Sequence, residues 1–312
     1  MKGVNSAKLI LFHHPSSPQK PHPLLSNHRI LLILFVSFFT FASLLTLLST
    51  TTSFSSSSKI SPTSSFSTAA SSSAPLSPHV FDALLHYAAN SNLTGLMKRA
   101  DLLAIAAVLR RRVPCNLLVF GLGDETPLWR ALNSGGRTVF LDENEYYVSH
   151  IESLNPGIES YDVAYTTHVR DLADLLAAAR DSRAADCRPF QNLLFSDCRL
   201  ALNDLPNHIY DVAWDVILVD GPRGYAAAAP GRMAAIYSAS VMARYRGQGP
   251  TDVLVHDYDR EVERVCSEEF LCKENRVAVV NATEKLAHYV IPGGAAARRD
   301  VFCVNSTGTA AS

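Results

Sequence analysis

One uninterrupted apolar run constrains this chain more than any other feature of its sequence. Residues 30–48 read ILLILFVSFFTFASLLTLL and carry no charge, so as a helix they are long enough to cross about 30 Å of hydrocarbon. A buried core helix would show a polar face, and this run has none. A cleaved signal peptide normally has a short leader and an apolar segment of about 7–15 residues, whereas 29 residues precede this run. The sequence therefore favours an uncleaved membrane anchor over a cleaved signal.

The charges that flank the run predict its orientation. Lys2, Lys8, Lys20 and Arg29 precede it with no acidic residue among them, whereas only Lys59 lies in the thirty residues that follow. The positive-inside rule places the N-terminus in the cytosol. Because the run is short, it suits the thin membranes of the early secretory pathway. We expect a single-pass type II protein of the Golgi membrane whose C-terminal domain is luminal.

Composition divides the chain into five predicted regions. Residues 49–78 contain 14 Ser, 5 Thr and three Pro, which is too little apolar surface to offset the entropy of ordering them. We therefore expect a structureless stem there. The predicted order is a cytosolic tail at 1–29, the anchor at 30–48, the stem at 49–78, a luminal domain at 79–304 and a tail at 305–312.

The overall charge argues against one class of partner. The 312 residues include 28 Lys and Arg against 29 Asp and Glu, a formal net charge of −1. No strong basic field is available to hold a nucleic-acid backbone, so we expect no nucleic-acid partner. Hydrophobic residues make up 47% of the chain and charged residues 18%, which is too apolar for a disordered protein and sufficient for a large core.

The six cysteines all follow the anchor, in what would be an oxidising compartment. They are too sparse for a disulfide scaffold and include no CxxC pair of a zinc ribbon. The pairings we favour are Cys187 with Cys198, and Cys272 with either Cys303 or Cys266. Three glycosylation sequons also follow the anchor, at Asn92, Asn281 and Asn305, and agree with a luminal glycoprotein.

Apolar runs that alternate with helical segments predict the fold of the luminal domain. Helices are predicted from Pro78, over 96–111 and over 231–244, and strands over 116–120, 138–141, 161–165, 216–219, 253–255, 276–280 and 285–291. The first five strands are separated by crossovers of helix length, as in right-handed βαβ units, and the last two resemble an antiparallel pair. The fold class is α/β, a Rossmann-like doubly wound, mainly parallel sheet, whose ligands bind at the carboxyl ends of the strands.

The first two strands end in residues that indicate a cofactor site. Gly121 and Gly123 follow a buried strand in VFGLGDETPLW, where the backbone must approach a ligand closely, although a turn that simply needs two glycines is an equally good interpretation. Asp142 and Glu143 end the second strand, where a carboxylate can bind the ribose hydroxyls of adenosine. The third glycine of a pyrophosphate-binding fingerprint is missing. The four residues therefore predict S-adenosylmethionine rather than NAD.

Three titratable residues end the fourth and fifth strands, namely Asp220, His256 and Asp257. Parallel strands end at one edge of a sheet, so these side chains converge on the glycine turn. Methyl transfer to a hydroxyl needs the hydroxyl proton removed, either by His256 or Asp220 as general base or with a divalent cation held by Asp220 and Asp257. The alternative is that the two carboxylates cap turns or touch cofactor without doing chemistry, and that His256 is a half-buried strand-end histidine. We predict all three as catalytic residues.

Several basic and aromatic residues follow the same strand ends. Arg223 and Tyr225 come shortly after Asp220, and Arg232 and Arg260 are expected near the same opening. An arginine there could pair bidentately with the carboxylate of a uronic acid. The alternative for each arginine is a solvated surface charge.

Long strings of this domain resemble one plant family, the glucuronoxylan methyltransferase and irregular-xylem-fifteen family of Golgi polysaccharide-biosynthesis proteins. The strings are PCNLLVFGLG, GGRTVFLDENE, WDVILVDGPRGY, PGRMAAIY and VLVHDYDR, and the resemblance spans 76–303. The segments AKLILFHHP, QNLLFSDCRLALNDLPNHIYDV and FLCKEN resemble the irregular-xylem-fifteen branch. The resemblance implies a class I methyltransferase-like fold and a part in making the xylan of the secondary cell wall.

Some members of that family transfer a methyl group from S-adenosylmethionine to the 4-hydroxyl of glucuronic-acid side chains. The resemblance therefore implies that Gly121, Gly123, Asp220, His256 and Asp257 bind cofactor or lie in the active site, and that glucuronoxylan is the acceptor. The irregular-xylem-fifteen branch affects xylan without an assigned methyltransferase activity. The GPRG form of the loop after the fourth strand differs from the methyltransferase members, which leaves the substrate open.

Three functions follow from these observations. The first is a luminal O-methyltransferase that acts on glucuronoxylan with S-adenosylmethionine and, in one form, a divalent metal. The second is a non-catalytic scaffold or binding component alongside other xylan-synthesis proteins. The third, a glycosyltransferase, would need an acidic metal-binding motif, and the one close match is DYD at 257–259.

Overall fold

The computed structural model describes residues 32–41, 43, 74–92, 97–245, 249–278 and 282–304. The chain divides into two compact units, 1–68 and 69–312. In the first unit, residues 32–41 are helical. Within the described ranges, no helix is both long enough and apolar enough to span a membrane. Most of the predicted stem, and the predicted anchor outside 32–41 and 43, lie beyond these ranges, so both stay predictions.

The second unit contains a seven-stranded sheet. Its strands are β1 (Asn116–Phe120), β2 (Arg137–Asp142), β3 (Glu159–Asp162), β4 (Val216–Val219), β5 (Thr251–His256), β6 (Arg276–Val277) and β7 (Leu286–Ile291). The helices of this unit are α1 (Pro78–Ala89), α2 (Arg99–Arg112), α3 (Thr126–Leu132), α4 (Glu145–Leu154), α5 (Leu172–Asp181), α6 (Asn207–Tyr210), α7 (Met233–Tyr245) and α8 (Glu261–Phe270).

The strand order is β3-β2-β1-β4-β5-β7-β6. Strands β1 to β5 are parallel, and β7 runs antiparallel between β5 and β6. From β1 the chain builds the sheet outward to β2 and β3, and then continues on the other side of β1 with β4 and β5. This switch in direction places the crevice for ligands at the carboxyl ends of β1 and β4. This confirms the predicted Rossmann-like, doubly wound and mainly parallel sheet of the class I methyltransferase-like type.

Two apolar layers cover the faces of the sheet. Leu118 and Phe120 of β1 pack into one layer together with α5, α7 and α8, whereas Leu117 and Val119 pack into the other together with α1, α2 and α3. Because successive strand residues point to opposite faces, the continuous run NLLVF is buried on both sides. The packing fixes the strand ends and the residues that follow them.

Most predicted elements are confirmed, with one displaced strand. Ser77 caps the helix from Pro78, accepting a hydrogen bond from the Val80 amide. The strand expected over 161–165 instead occupies β3, because it pairs in register with β2 and both strands end together, Asp162 opposite Asp142. Residues 163–165 leave the sheet once β2 has ended.

Both favoured disulfides are present. Cys187 is bonded to Cys198, and Cys272 is bonded to Cys303 rather than to Cys266. Cys266 and Cys115 are buried free thiols. The second bond joins the end of α8 to the C-terminal segment of the described domain.

Candidate active site

A cavity of about 510 Å³ opens at the carboxyl ends of β1, β4 and β5. Seven of the residues singled out by the sequence line it, namely Gly123, Asp220, Arg223, Tyr225, Arg232, His256 and Asp257. Its volume lies within the range of small-molecule sites. A larger cavity of about 710 Å³ lies at the opposite edge, where β2 and β3 begin, but Arg137 and Glu159 in its wall pair with each other. The chemistry therefore converges on the smaller cavity.

Glycine is required where the ends of β1 and β4 meet. Gly121 has a φ of +108°, and a Cβ atom there would lie 3.0 Å from the Asp220 carbonyl carbon and from the Gly221 nitrogen. A Cβ atom on Gly221 would lie 2.6 Å from the Gly121 Cα. No side chain fits either position. Gly121 therefore sets the approach of the two strands beneath the cavity, whereas Gly123 lines the cavity itself.

The acidic pair after β2 is largely committed to the backbone. Asp142 is buried, and its two carboxylate oxygens accept hydrogen bonds from the amides of Leu122 at 2.9 Å and Asn144 at 3.0 Å. Burial raises the pKa of this carboxyl, and the two amide hydrogen bonds act in the opposite direction. Glu143 accepts a hydrogen bond of 3.3 Å from the Arg223 amide through Oε1. Asp142 thus holds the glycine turn in place, and a role of either residue in binding a ribose stays a prediction.

Asp220 and His256 form a hydrogen-bonded pair across β4 and β5. His256 Nδ1 lies 2.9 Å from Asp220 Oδ1. Burial lowers the pKa of the imidazole, but the hydrogen bond to Asp220 and the charges of Asp220 and Asp257 raise it more, so the net shift is upward. His256 Nε2 is buried without a hydrogen-bond partner, 3.8 Å from Asp101 Oδ2. The Asp220 side chain is 28% exposed and that of His256 12%, so Asp220 is the more accessible of the two from the cavity.

Arg232 joins the ends of β4 and β5, a role that sequence reasoning missed. Its side chain is 2% exposed, and it donates to the carbonyls of Pro222 at 2.9 Å, His256 at 2.8 Å and Asp220 at 2.7 Å. It also lies 3.4 Å from Asp220 Oδ1 and 3.2 Å from Asp257 Oδ2. Its donors are spent inside the protein, so Arg232 positions the acidic residues and is not open to a substrate. The GRMAAIY string contained the residue but gave no signal of this fold-back.

Asp257 is neutralised by the protein's own cations. It adopts a φ of 55°, which directs its carboxylate toward Arg260 Nη2 at 2.6 Å and Arg232 Nη2 at 3.2 Å. Lys285 Nζ lies 3.8 Å from its other oxygen. Ligand atoms of Asp220, His256 and Asp257 do lie within 4.8 Å of one another, but the guanidinium of Arg232 already touches both carboxylates. A divalent cation does not fit beside that fixed positive charge, so the structure gives the predicted metal at Asp220 and Asp257 no support.

Two further residues shape the cavity walls. Glu125 is buried at the start of α3, accepts a hydrogen bond from the Met97 amide, and has a pKa that burial raises. Tyr147, on α4, lines the side of the cavity nearest β2. Sequence reasoning missed both. The acidic pair of Asp124 and Glu125 directly after Gly123 could have indicated a site residue in the sequence, whereas the single Tyr147 could not.

Comparisons with known proteins identify the family of the chain. The family model IRX15/IRX15L/GXM matches residues 100–289. Protein IRREGULAR XYLEM 15 of Arabidopsis thaliana is 47% identical over 302 residues, covering 93% of this chain and 91% of that protein. Protein IRX15-LIKE of the same organism is 50% identical over 296 residues, with the same coverage. Glucuronoxylan 4-O-methyltransferase 3 of Arabidopsis thaliana is 41% identical over 229 residues, covering 73% of this chain and 74% of that protein. The chain belongs to the IRX15/IRX15L/GXM family, a xylan-related family of methyltransferase-like proteins.

Proposed function

We propose that this protein is an S-adenosylmethionine-dependent O-methyltransferase that acts on glucuronic-acid side chains of glucuronoxylan. We further propose that it works in the Golgi lumen, anchored through 30–48, alongside other proteins that synthesise xylan. The observation that carries the enzymatic proposal is the position of Asp220. This carboxylate is held by the buried Arg232 and the mostly buried His256, and it faces a cavity large enough for a nucleoside beside a sugar.

The residues around the glycine turn suit the methyl donor. Gly123 presents backbone without a side chain to the cavity, and Tyr147 offers an aromatic face on the β2 side. Glu143 has a second oxygen that no described residue occupies and that could accept a ribose hydroxyl. S-adenosylmethionine would supply an electrophilic methyl group at this site. The chain's part is to bind the donor and to present the acceptor hydroxyl to it.

Asp220 is the group best placed to take the hydroxyl proton. His256 and Arg232 both contact its Oδ1, and Oδ2 has no hydrogen-bond partner among the described residues while the side chain is 28% exposed. A carboxylate fixed in this way accepts the hydrogen bond of an incoming hydroxyl and removes its proton as the oxygen is methylated. His256 orients Asp220 through the contact of 2.9 Å between its Nδ1 and Asp220 Oδ1.

A specific observation favours a second candidate, a non-catalytic component of xylan synthesis. The relatives that match 93% of the chain are named IRREGULAR XYLEM 15 and IRX15-LIKE and not as methyltransferases, whereas glucuronoxylan 4-O-methyltransferase 3 matches 73%. In addition, Asp142 spends both oxygens on backbone amides. Under this alternative the fold would bind the polysaccharide without transferring a methyl group.

Cofactor binding separates the two candidates. Calorimetric titration of the full-length protein with S-adenosylmethionine should give saturable binding, followed by transfer of a labelled methyl group to glucuronoxylan. Gly121→Ala should weaken this binding at least tenfold, since the new Cβ displaces the Asp220 backbone. Gly249→Ala is the matched control because Gly249 also has a positive φ, +62°, but no atom within 4 Å of its Cβ position. Absence of binding in the folded wild type would leave the non-catalytic function.

A further inference from the structure

The cations of the cavity differ in whether they already pair with groups of the protein. Four basic side chains line it, Lys98, Arg223, Arg232 and Lys285. Arg232 is spent on backbone carbonyls and on Asp220 and Asp257, and Lys285 lies within 3.8 Å of Asp257. The side chains of Lys98 and Arg223 form no ion pair with any residue in the described part of the chain. These two cations are available to a ligand.

Lys98 and Arg223 belong to different walls. Lys98 follows Met97, whose amide is bonded to Glu125 just beyond the glycine turn, so Lys98 stands on the donor side. Arg223 lies on the loop after β4, directly beyond Asp220 and the buried Pro222. Both backbone polar groups of Arg223 are hydrogen-bonded, which holds the loop in place. The Arg223 amide is bonded to Glu143, and its carbonyl accepts a hydrogen bond of 2.8 Å from Arg260 Nη1.

An exposed aromatic ring stands two residues beyond Arg223. Tyr225 is 76% exposed and lines the same cavity. The guanidinium of Arg260 lies 4.7 Å from the centre of its ring and is itself bonded to Asp257 at 2.6 Å, so the ring is held from one side and open on the other. A rigid aromatic face of this kind packs against the apolar C–H face of a pyranose.

The chemistry of a uronic acid matches this pair of residues. In glucuronic acid the 4-hydroxyl is on the carbon next to the one that bears the carboxylate. A cation that binds the carboxylate must therefore lie a few ångströms from the group that accepts the hydroxyl proton. Arg223 stands three residues from Asp220 on the same loop and presents a planar fork of donors that fits a carboxylate bidentately.

We infer that Arg223 and Tyr225 form the acceptor subsite, in which Arg223 binds the carboxylate of a uronic acid and Tyr225 stacks on a sugar ring. This inference rests on the proposed function for its choice of acceptor. It deepens that proposal, because it assigns one of the candidate arginines to the carboxylate and Tyr225 to the sugar ring. The GPRG form of this loop differs from the methyltransferase members, so the subsite is a feature of this chain and not one inferred from those members.

The test measures sugar binding without any methyl donor. Full-length protein is titrated calorimetrically with a xylo-oligosaccharide that carries one glucuronic acid, and with the same compound whose carboxyl is reduced to an alcohol. The wild type should bind the acidic compound about tenfold or more tightly, as a charge-assisted bidentate pair predicts. Arg223→Gln should remove this preference, and Arg223→Lys should keep part of it. Tyr225→Ala should weaken both compounds about equally, whereas Tyr225→Phe should bind both as the wild type does.

Two other variants show whether the effect is specific. Arg264→Gln removes an exposed charge on α8 away from the cavity, and Lys98→Gln removes the other available cation of the cavity. Both should keep the preference for the acidic compound. Equal affinity of the wild type for the two compounds, survival of the preference in Arg223→Gln, or its equal loss in Lys98→Gln would overturn the inference.

Methyl transfer is measured separately, so the two proposals can fail independently. A preference for the acidic compound without methyl transfer supports the acceptor subsite and removes the enzymatic function. Methyl transfer to glucuronoxylan without the preference supports the enzyme and overturns the subsite. A variant that no longer folds is recognised from its circular dichroism spectrum, and the Lys and Phe variants then decide the result.

Discussion

The two ends of β5 carry clusters built from the same three residue types. At its start, Asp252 binds His288 Nε2 at 2.6 Å and Arg112 Nε at 2.6 Å. We call these three residues the closed cluster, because Asp252 and His288 are each at most 5% exposed. At its end, the open cluster consists of Asp220, His256, Asp257 and Arg232 beside the cavity. Each cluster combines a histidine, a carboxylate and an arginine.

The clusters differ in whether the carboxylate keeps an oxygen that a ligand can reach. In the closed cluster both oxygens of Asp252 are occupied by cationic or histidine side chains, so no acceptor remains for a ligand. In the open cluster the buried cation binds Asp220 chiefly at one oxygen and leaves the side chain 28% exposed. The residue types therefore do not identify a site. A site is identified instead by its position at the carboxyl edge of the sheet and by a carboxylate oxygen that no protein group occupies.

The largest expected effect comes from breaking the open cluster at Asp220. In Asp220→Asn the amide cannot take a proton, so we expect kcat for methyl transfer to fall about 10²–10⁴-fold. The amide oxygen still accepts from His256, so the free energy of unfolding should change by about 1 kcal/mol or less. The measurement is labelled methyl transfer at saturating acceptor, with donor binding followed calorimetrically.

The matched control for this variant is Asp259→Asn. Asp259 lies two residues beyond Asp257, is 44% exposed and pairs only with Lys285 among the described residues. Its loss should leave methyl transfer within about twofold of the wild type. If Asp220→Asn retained its activity, the proton would have to leave through another group and our assignment of Asp220 would be wrong.

Breaking the closed cluster should affect stability and not ligand binding. In Asp252→Asn the partly exposed Arg112 and the buried His288 lose their charged partner, and we expect a loss of about 1–3 kcal/mol in the free energy of unfolding. Chemical denaturation measures this loss. Donor affinity should stay unchanged, because the cluster lies at the opposite end of the strand. Asp82→Asn, in an exposed pair with Arg110, is the control and should cost less than about 0.5 kcal/mol. Equal losses in the two variants would mean that burial adds nothing to the closed cluster.

The strand ends were the part of the site that could be predicted from the sequence. Continuous apolar runs predicted β1 and β4 at their observed bounds, and the rule that parallel strands end at one edge brought Gly123, Asp220 and His256 together. The sequence favoured Cys187 with Cys198 but left Cys272 open between Cys303 and Cys266, and the structure has the bond to Cys303. Local pattern was sufficient wherever the backbone decided the outcome.

Contacts made by long side chains could not be predicted. Arg232 lies twelve residues beyond Asp220 along the chain, and only the tertiary fold returns its guanidinium to the strand end. The pairing of Arg260 with Tyr225, and the use of both Asp142 oxygens by backbone amides, likewise depend on loop conformation. A buried arginine leaves no periodic signal in the sequence. The metal predicted at Asp220 and Asp257 therefore gained no support once the structure placed Arg232 between them.

The smallest predicted effect is the opposite pH dependence of the two clusters. The pKa of Asp252 is lowered, because the hydrogen bond of His288 and the charge of Arg112 outweigh burial. Its contribution to stability is therefore complete above the ordinary carboxyl value of 3.8 and is lost as pH falls through the folded-state pKa. The pKa of His256 is raised, so its contribution is complete below 6.5 and is lost as pH rises through the folded-state pKa.

Unfolding free energies of the wild type, Asp252→Asn and His256→Gln between about pH 3 and 9 would measure this contrast, by difference between curves. His256 is faced by Asp220 from β4, Asp101 from α2, and Asp257 and Arg232 from its own side of the cavity, and three carboxylates against one guanidinium favour the protonated ring. His256→Gln should therefore flatten the decline of stability above pH 6.5, whereas Asp252→Asn should flatten the decline at acidic pH. If the wild type instead gained stability above pH 6.5 relative to His256→Gln, the ring would be neutral in the folded protein. The hydrogen bond that orients Asp220 would then involve an imidazole without charge.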